Sequence, residues 1–183
     1  CFAYCRSLTA VEIGDQIIAI GASAFTNTVL TSVTIPDSVI TVGEYAFSSI
    51  GTLTDVTIGR GVVALDDYAF TQNNTLANVT FAAGSSLTTL GDNCFARNPV
   101  LANITLPESL TEIGAYCFYY CEQLGSIQIP AKVTHMGYRA FNATKIYTDT
   151  EGNFVYADKW LVTVKNLSEY VKIQKSDFRE DTI

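Results

Sequence analysis

The sequence has little charge and almost no histidine. Charged residues make up 16% of its 183 residues, and His135 is the single histidine. A structural zinc site uses two separated pairs of ligands, and a catalytic nucleophile needs a base placed beside it. His135 precedes the apolar Met136, and no motif places a nucleophile or an acid next to it. We therefore predict no metal site, no cofactor and no enzymatic activity.

Positive charge is scarce in most of the chain. Residues 1–130 carry three arginines against eleven acidic residues, a balance of −8, whereas all six lysines lie in residues 131–183. Because an acidic surface repels phosphate backbones, we expect no nucleic-acid partner. Apolar runs are also short. None approaches the ~18 residues that cross a bilayer, so we expect no direct membrane insertion of this segment.

A phenylalanine recurs along the chain at intervals of 22 to 25 residues. Each of the first six copies is followed by a segment of the form Leu-x-x-Val/Ile-x-apolar, as in Leu30, Val33 and Ile35. A period of about 20–29 residues with such a segment is typical of a leucine-rich-repeat solenoid. The copies are Phe2, Phe25, Phe47, Phe70, Phe95, Phe118 and Phe141.

The pattern inside one unit predicts how the solenoid is built. Alternating apolar and polar residues after the leucine predict a strand with one buried face, and stacked units would form a parallel sheet on one face. Prolines such as Pro36 end these strands. An apolar pair and usually a glycine follow, where we expect a short helical or 3₁₀ turn that packs the phenylalanine inward. Glycine would supply unusual backbone angles there, and Asp66, which replaces it once, would cap the turn. We expect the stack to wind as a right-handed, curved superhelix.

The repeat divides the chain into two parts. Residues 1–141 contain about six full units, and residues 142–183 form an irregular seventh unit with a β-hairpin insertion and the start of a following unit. The hairpin would have a three-residue loop. Because Cys1 falls in the middle of a unit, we expect the chain to be a fragment of a longer protein. The strands expected in the second part begin early, at 141–147, and continue at 154–156, 160–164 and 170–173.

The five cysteines fall into two positions of the repeat. Small buried thiols fit both positions without any chemistry, so we interpret the cysteines as packing residues. Two of them in adjacent units, Cys94 and Cys117, would lie about one strand spacing apart, which leaves a disulfide as an alternative. Cys1, Cys94 and Cys117 precede the phenylalanine, where other units have alanine; Cys5 and Cys121 lie three residues before the strand leucine, where others have Asn27, Ile50, Asn73 and Asn98.

The complete unit, Ile-Gly-x-x-Ala/Cys-Phe followed by Leu-x-x-Val-x-Ile-Pro, resembles that of the BspA-like leucine-rich-repeat family, with about 23 residues per repeat. The resemblance covers residues 1–141. It implies a secreted or cell-surface protein, because members of this family occur on gut and oral bacteria and on mucosal parasites. It also implies adhesion to host matrix proteins, host cells or other microbes.

Two columns of polar residues alternate with the buried strand residues and would face outward, usually onto the concave side of such a solenoid. Threonine suits a solvated sheet surface, which is the simpler interpretation, but solenoids also bind ligands on such surfaces. Tyrosines near the phenylalanines are a second candidate surface, or else cover the flank of the core: Tyr45, Tyr68 and Tyr116, with Tyr4, Tyr119 and Tyr120 nearby. The candidate column residues are Glu12, Ser32, Thr34, Asp55, Thr57, Asn78, Thr80, Asn103, Thr105, Ser126 and Gln128.

The repeat pattern predicts a non-enzymatic repeat module, and the family resemblance implies that it belongs to a secreted or cell-surface adhesin. Its partner would be a host matrix or cell-surface protein, or a glycan, bound on the concave sheet. One alternative is a structural spacer that projects another domain. A second is an intracellular protein-interaction scaffold, which reduced cysteines would favour because disulfides are rare in the cytosol.

Overall fold

The computed structural model describes residues 1–151 and 154–164, in which successive units of the chain stack side by side. Each unit supplies segments to a solenoid of parallel strands, as the sequence predicts. The right-handed curvature and the division at residue 141 stay predictions. The elements are β1 (Ala19–Ile20), β2 (Ser32–Ile35), β3 (Thr41–Val42), β4 (Asp55–Ile58), β5 (Ala64–Leu65), β6 (Asn78–Phe81), β7 (Thr89–Leu90), β8 (Glu112–Ile113), β9 (His135–Met136), α1 (Lys145–Asp149), β10 (Phe154–Ala157) and β11 (Trp160–Val164).

The longer strands form the predicted parallel sheet. β2, β4 and β6 pair residue for residue, and exposed and buried side chains alternate along β2 and β4. Apolar residues such as Val33 and Val56 therefore point into the core. The equivalent segments 10–13, 103–106 and 126–129 keep an alternation of more and less exposed residues, but they lie outside this hydrogen-bonded sheet.

A second parallel sheet, which the sequence did not predict, consists of the two-residue strands β1, β3, β5, β7, β8 and β9, paired in that order. A lack of space accounts for the glycine after β3, β7, β8 and β9, whereas Gly21 after β1 has open space around it and Asp66 follows β5. A Cβ on Gly114 would lie 2.5 Å from the carbonyl carbon of Gly91 in the preceding unit. Among the described glycines only Gly84 has a positive φ. The expected reason for the glycine was therefore wrong, because here the neighbouring backbones approach too closely for a side chain.

The turn around the phenylalanine buries this residue in the units from Phe25 to Phe141, as predicted, but it is not a helical turn. The residues two before and two after the phenylalanine have left-handed backbone angles, as at Tyr45 and Ser49, each with a φ of 56°. A right-handed helix does not accommodate such angles. The N–H groups alternate between a carbonyl of their own turn and one of the next unit, so that Phe47 donates to the oxygen of Ala69 at 2.8 Å. The turns thus form a third ladder of hydrogen bonds between units. The predicted role of Asp66 as a helix cap was wrong, because no helical turn follows it.

The phenylalanines stack along the core as the sequence predicts. Successive rings from Phe2 to Phe141 have centroids 5.0–5.8 Å apart and planes within 13° of parallel. The rings of Phe47, Phe70 and Phe95 are completely buried. Aromatic pairs at such distances contribute about 0.5–1.5 kcal/mol beyond the area that they bury.

A column of buried polar residues lies beside these rings, three residues after the phenylalanine in most units; Ile50 is the apolar exception among the buried ones. The Nδ2 of Asn73 donates to the carbonyl oxygens of Phe47 and Phe70 at 2.9 and 3.0 Å. Its Oδ1 accepts a hydrogen bond from the N–H of Ile50 at 2.7 Å. Asn98 repeats this arrangement, and its Oδ1 accepts from the N–H of Asn73 at 2.9 Å. These amides partner backbone groups inside the core that would otherwise be buried without hydrogen bonds.

This column corrects one alignment made from the sequence. Counting back from the strand leucine placed Asn27 with Asn73, but the second unit is one residue shorter in this stretch. In the structure Asn27 has a φ of 56° and occupies the left-handed position of Ser49. Thr28 is the buried member of the column, and its hydroxyl donates to the carbonyl oxygen of Phe25 at 2.9 Å.

The segment after Phe141 forms the helix α1 and not the early strand that the sequence predicted. Thr144 caps this helix, because its Oγ1 accepts from an N–H in the first turn. β10 and β11 pair antiparallel, and Ala157 faces Trp160, so the loop has two residues rather than the predicted three. The strand predicted at 170–173 lies outside the described residues. In the described part of the chain, no helix is long and apolar enough to cross a membrane.

Replacing Asn73 by alanine is expected to lower the free energy of unfolding by about 2–4 kcal/mol, because the Phe47 carbonyl and the Ile50 N–H would lose their partner, while the Phe70 carbonyl would keep only its bond from Asn98. The neighbouring Asn74 is exposed, so Asn74→Ala is the matched control and should cost less than about 0.5 kcal/mol. Urea unfolding followed by circular dichroism measures both values. Equal losses in the two variants would contradict the structural role of the buried amide.

Candidate functional site

The predicted candidate residues of β2, β4 and β6 form two straight columns on one exposed surface, here called the sheet face. Register places Ser32, Asp55 and Asn78 side by side. All the side chains in these columns are exposed. The second column consists of Thr34, Thr57 and Thr80.

Asp55 is the charged member of these two columns. Its carboxylate accepts a hydrogen bond from Thr54 Oγ1 at 2.5 Å and one from Asn78 Nδ2 at 2.8 Å. These two bonds, that of Thr54 more than that of Asn78, lower the pKa of Asp55 below its ordinary value. The carboxylate is therefore held ionised and oriented along the column. The rest of the two columns carries hydroxyl and amide groups, which both donate and accept hydrogen bonds.

The other candidates are exposed too, but they are less closely organised. Asn103, Thr105, Ser126 and Gln128 line one shallow depression between two units. Thr80 and Thr105 line a second depression, beside the longer connection that contains Gly84. Glu12 lies outside the paired strands and lines neither depression.

The tyrosines lie on another surface, here called the turn face, which is formed by the turns around the phenylalanines. Tyr45 and Tyr68 stack at 4.6 Å with their planes 11° apart. Tyr116 meets Tyr119 and Tyr138 edge to face, at 5.4 and 5.7 Å. Tyr68 and Tyr116 are half-buried, whereas Tyr45 is more exposed. The rings thus cover the flank of the core and also present an aromatic surface.

Two arginines on the turn face were not singled out from the sequence. Arg97 lies over the ring of Tyr120 and Arg139 over the ring of Tyr138, with guanidinium carbons 5.9 and 5.0 Å from the ring centroids. Within the described residues, neither arginine forms an ion pair. The ion pairs there are those of Arg60 with Asp37 and of Lys145 with Asp149. No sequence motif joins the two arginines, since they come from different units.

The cysteines occupy packing positions. Cys94, Cys117 and Cys121 are buried and free, so the alternative of a disulfide between Cys94 and Cys117 is not found. Burial raises the pKa of the Cys94 and Cys117 thiols far above the ordinary value, and it raises the pKa of Cys121 to about 12. Cys121 also donates from Sγ to the carbonyl oxygen of Phe95 at 3.1 Å. Protonated, enclosed thiols of this kind are poor nucleophiles.

Metal-ligating residue types are dispersed in this structure. Within residues 1–151 and 154–164, no group of three or more His, Cys, Asp or Glu side chains could hold a metal ion. His135 lies in β9 with an exposed side chain and pairs through its backbone with Glu112 of β8.

The chain matches the protein family described as BspA type leucine rich repeat region, in six copies over residues 1–97 and 53–156. It is similar to the solved structure of a leucine-rich repeat protein from Bacteroides ovatus, with 23% identity, a TM-score of 0.53, and coverage of 78% of this chain and 42% of that one. The leucine rich repeat protein of T. pallidum has 22% identity and a TM-score of 0.56, with coverage of 72% and 71%. The pneumococcal vaccine antigen PcpA has 20% identity and a TM-score of 0.52, with coverage of 62% and 38%. No curated protein matches the sequence.

The parallel-strand stack and its repeat define a leucine-rich-repeat solenoid. The chain belongs to the BspA-type leucine-rich-repeat family, because six copies of the family's repeat cover most of it. The resemblance recognised from the sequence is thus confirmed. The likeness to the solved structures shows a shared fold, and the chain spans less than half of the B. ovatus and pneumococcal proteins.

The free energy of unfolding should fall as the pH rises above about 8.5, the ordinary pKa of a thiol. The folded state raises the pKa of the buried thiols, so it keeps protons that the unfolded state releases. The stabilisation is complete below the pKa of the thiol in the unfolded state and is lost as the pH rises toward its pKa in the folded state. The free energy of unfolding falls over this range by about 1.4 kcal/mol per pH unit for each thiol. Cys94→Ala should make the decline shallower, whereas Cys5→Ala, at an exposed thiol, should not.

Urea unfolding at a series of alkaline pH values measures these slopes. Because lysines and tyrosines titrate in the same range, the comparison between the two variants isolates the contribution of Cys94. Identical slopes for the two variants would show that the buried thiol does not carry the effect.

Proposed function

We propose that this chain is a protein-binding repeat module of a secreted or cell-surface adhesin, and that its protein ligand lies on the sheet face. The observation that carries the proposal is the pair of register-aligned columns on β2, β4 and β6. Six neighbouring exposed side chains there offer hydroxyl, amide and carboxylate groups on a surface held from below by a buried core.

The chemistry of the sheet face favours a macromolecular ligand. Its side chains are short and polar, and they lie on a strand surface rather than in an enclosed cavity. Small-molecule sites are usually concave and largely apolar, whereas repeat proteins bind partners over extended surfaces. Recognition would then rest on many modest hydrogen bonds in place of a single aromatic anchor.

Membership of the BspA-type family supports the adhesin role and the surface location, because members of this family are associated with adhesion at host surfaces. The pneumococcal relative is a vaccine antigen. The alternative of a structural spacer has support in the stacked architecture itself, since stacked units hold whatever follows them at a distance. The two functions differ in one measurable respect: a spacer has no ligand on the sheet face.

Changing Thr57, Asn78 and Thr80 together to lysine is expected to weaken binding to a matrix protein by about tenfold or more, because the longer side chains oppose a close contact and their ammonium groups would lose water in it. The matched control places three lysines on the second sheet, by Thr41→Lys, Ala64→Lys and Thr89→Lys. These positions pair in register across β3, β5 and β7, so the control adds the same charge at three neighbouring positions of another sheet.

Biolayer interferometry against immobilised fibronectin, laminin and collagen would measure the binding, and circular dichroism would confirm that both variants fold. Unchanged binding of the sheet-face variant would rule out this face as the site. Absence of binding by the unsubstituted chain to every matrix protein would favour the spacer.

A further inference from the structure

The tyrosine column of the turn face has a gap. The position two residues before the phenylalanine has left-handed angles in unit after unit, with φ between 53° and 58°, so its side chains leave the backbone in a similar way. Tyrosine occupies this position at Tyr45, Tyr68 and Tyr116, but the shorter Asn93 interrupts the series between Tyr68 and Tyr116. One ring is therefore missing from a column of rings.

The size of this gap suits a flat group. Tyr45 and Tyr68, in adjacent units, stack at 4.6 Å. Tyr68 and Tyr116 are two units apart, and two strand spacings amount to about 10 Å. A depression opens at this place, and Tyr68, Asn93 and Tyr116 line it. A planar or chair-shaped ring can enter between the two tyrosines and contact them with its apolar faces.

Charge defines the ligand further. Arg97 and Arg139 line the same depression, and neither has a carboxylate partner within the described residues. The chain as a whole has a net charge of −7, so two unpaired guanidinium groups on one surface are an exception to its acidic character. Guanidinium groups bind carboxylates through paired, charge-assisted hydrogen bonds. The ring that fills the gap should therefore carry a carboxylate.

The backbone of the turn face is already fully engaged. All five N–H groups from Tyr68 to Gln72 donate within the protein, three of them to the next unit, and those from Asn93 to Arg97 do the same. A peptide could not add main-chain hydrogen bonds here as it does at a free strand edge. A ligand on this face therefore has to be recognised by side chains. Hydroxyl groups suit such recognition because they both donate and accept hydrogen bonds.

Such side chains continue beyond the gap. A second depression is lined by Asn74, Tyr120 and Glu122, and it shares Gln72 and Arg97 with the first. The two depressions therefore adjoin. Amide, carboxylate and phenol groups along this strip can exchange hydrogen bonds with the hydroxyls of further sugar units.

We propose that the turn face binds a carboxylated saccharide. Its acidic sugar lies in the gap at Asn93, between Tyr68 and Tyr116, and its carboxylate binds Arg97 and Arg139. Further sugar units extend along the strip past Gln72 and are bound there through their hydroxyls. This site lies on a different surface from the proposed protein ligand and does not depend on it.

Isothermal titration calorimetry with trigalacturonic acid and with 3′-sialyllactose tests the proposal, and it distinguishes a uronic from a sialic acid ligand. Maltotriose and lactose are the uncharged counterparts. We expect at least one acidic saccharide to bind about tenfold or more tightly than its uncharged counterpart, and to bind less tightly as salt is added. A hexaglutamate peptide serves as the acidic ligand without sugar rings.

Three variants locate the site. Arg97→Gln and Arg139→Gln should each weaken binding of the acidic saccharide by about tenfold. Asn93→Tyr should abolish binding by filling the gap, and it should fold, since tyrosine already has the same backbone angles at Tyr45 and Tyr68. Arg60→Gln is the matched control: Arg60 is exposed, is paired with Asp37 and lines neither depression, so binding should not change.

Three results would overturn the proposal: no detectable binding of either acidic saccharide at about 1 mM, hexaglutamate binding as tightly as the saccharides, or retained binding in Asn93→Tyr. The sheet-face variant with lysines at positions 57, 78 and 80 should bind the saccharide normally. Failure of this site and failure of the proposed protein-binding face are therefore distinguishable.

Discussion

Hydrogen bonds between the backbones of neighbouring units are the constraint on which the rest of the structure depends. They form along the two-residue strands and along the turns, and in the units that contain β2, β4 and β6 also along the longer strands, so these units are held to one another at three places. The ladders set the distance between units to about one strand spacing. Whatever lies between two units has to fit that distance. The phenylalanine rings do so by stacking at 5.0–5.8 Å, and Gly114 does so by having no side chain.

The same constraint organises the surfaces. An exposed residue lies beside its equivalents in the adjacent units, so the outside of the stack consists of columns. On the sheet face these columns contain small polar groups, and on the turn face they contain tyrosines. A single substitution within a column, such as Asn93 among the tyrosines, then changes the local shape without disturbing the core. The core and the exposed surface are thus formed by different positions of one repeat, so the surface can vary while the scaffold persists.

Several features of the fold and of the sheet face could be predicted because they depend on spacing along the chain. The phenylalanine interval and the alternation after each leucine predict the stack, the parallel sheet and the exposed columns. The second sheet could not be predicted in this way, since a two-residue strand shows no alternation. Left-handed angles at Tyr45 and Tyr68 also run against local preference, because residues with a Cβ disfavour them. Arg97 and Arg139 belong to different units, and only the stacking of the units brings them to one depression.

The sequence by itself determined which residues form the core and that they repeat in register, because burial of apolar side chains follows their period along the chain. Tertiary structure alone decided the conformation of the turn, the close approach at Gly114 and the buried place of Thr28 in the polar column. Each of these depends on where the backbone of the next unit lies. The sequence pattern of a single unit does not specify where the neighbouring backbone lies. That placement results from the hydrogen-bond ladders between units.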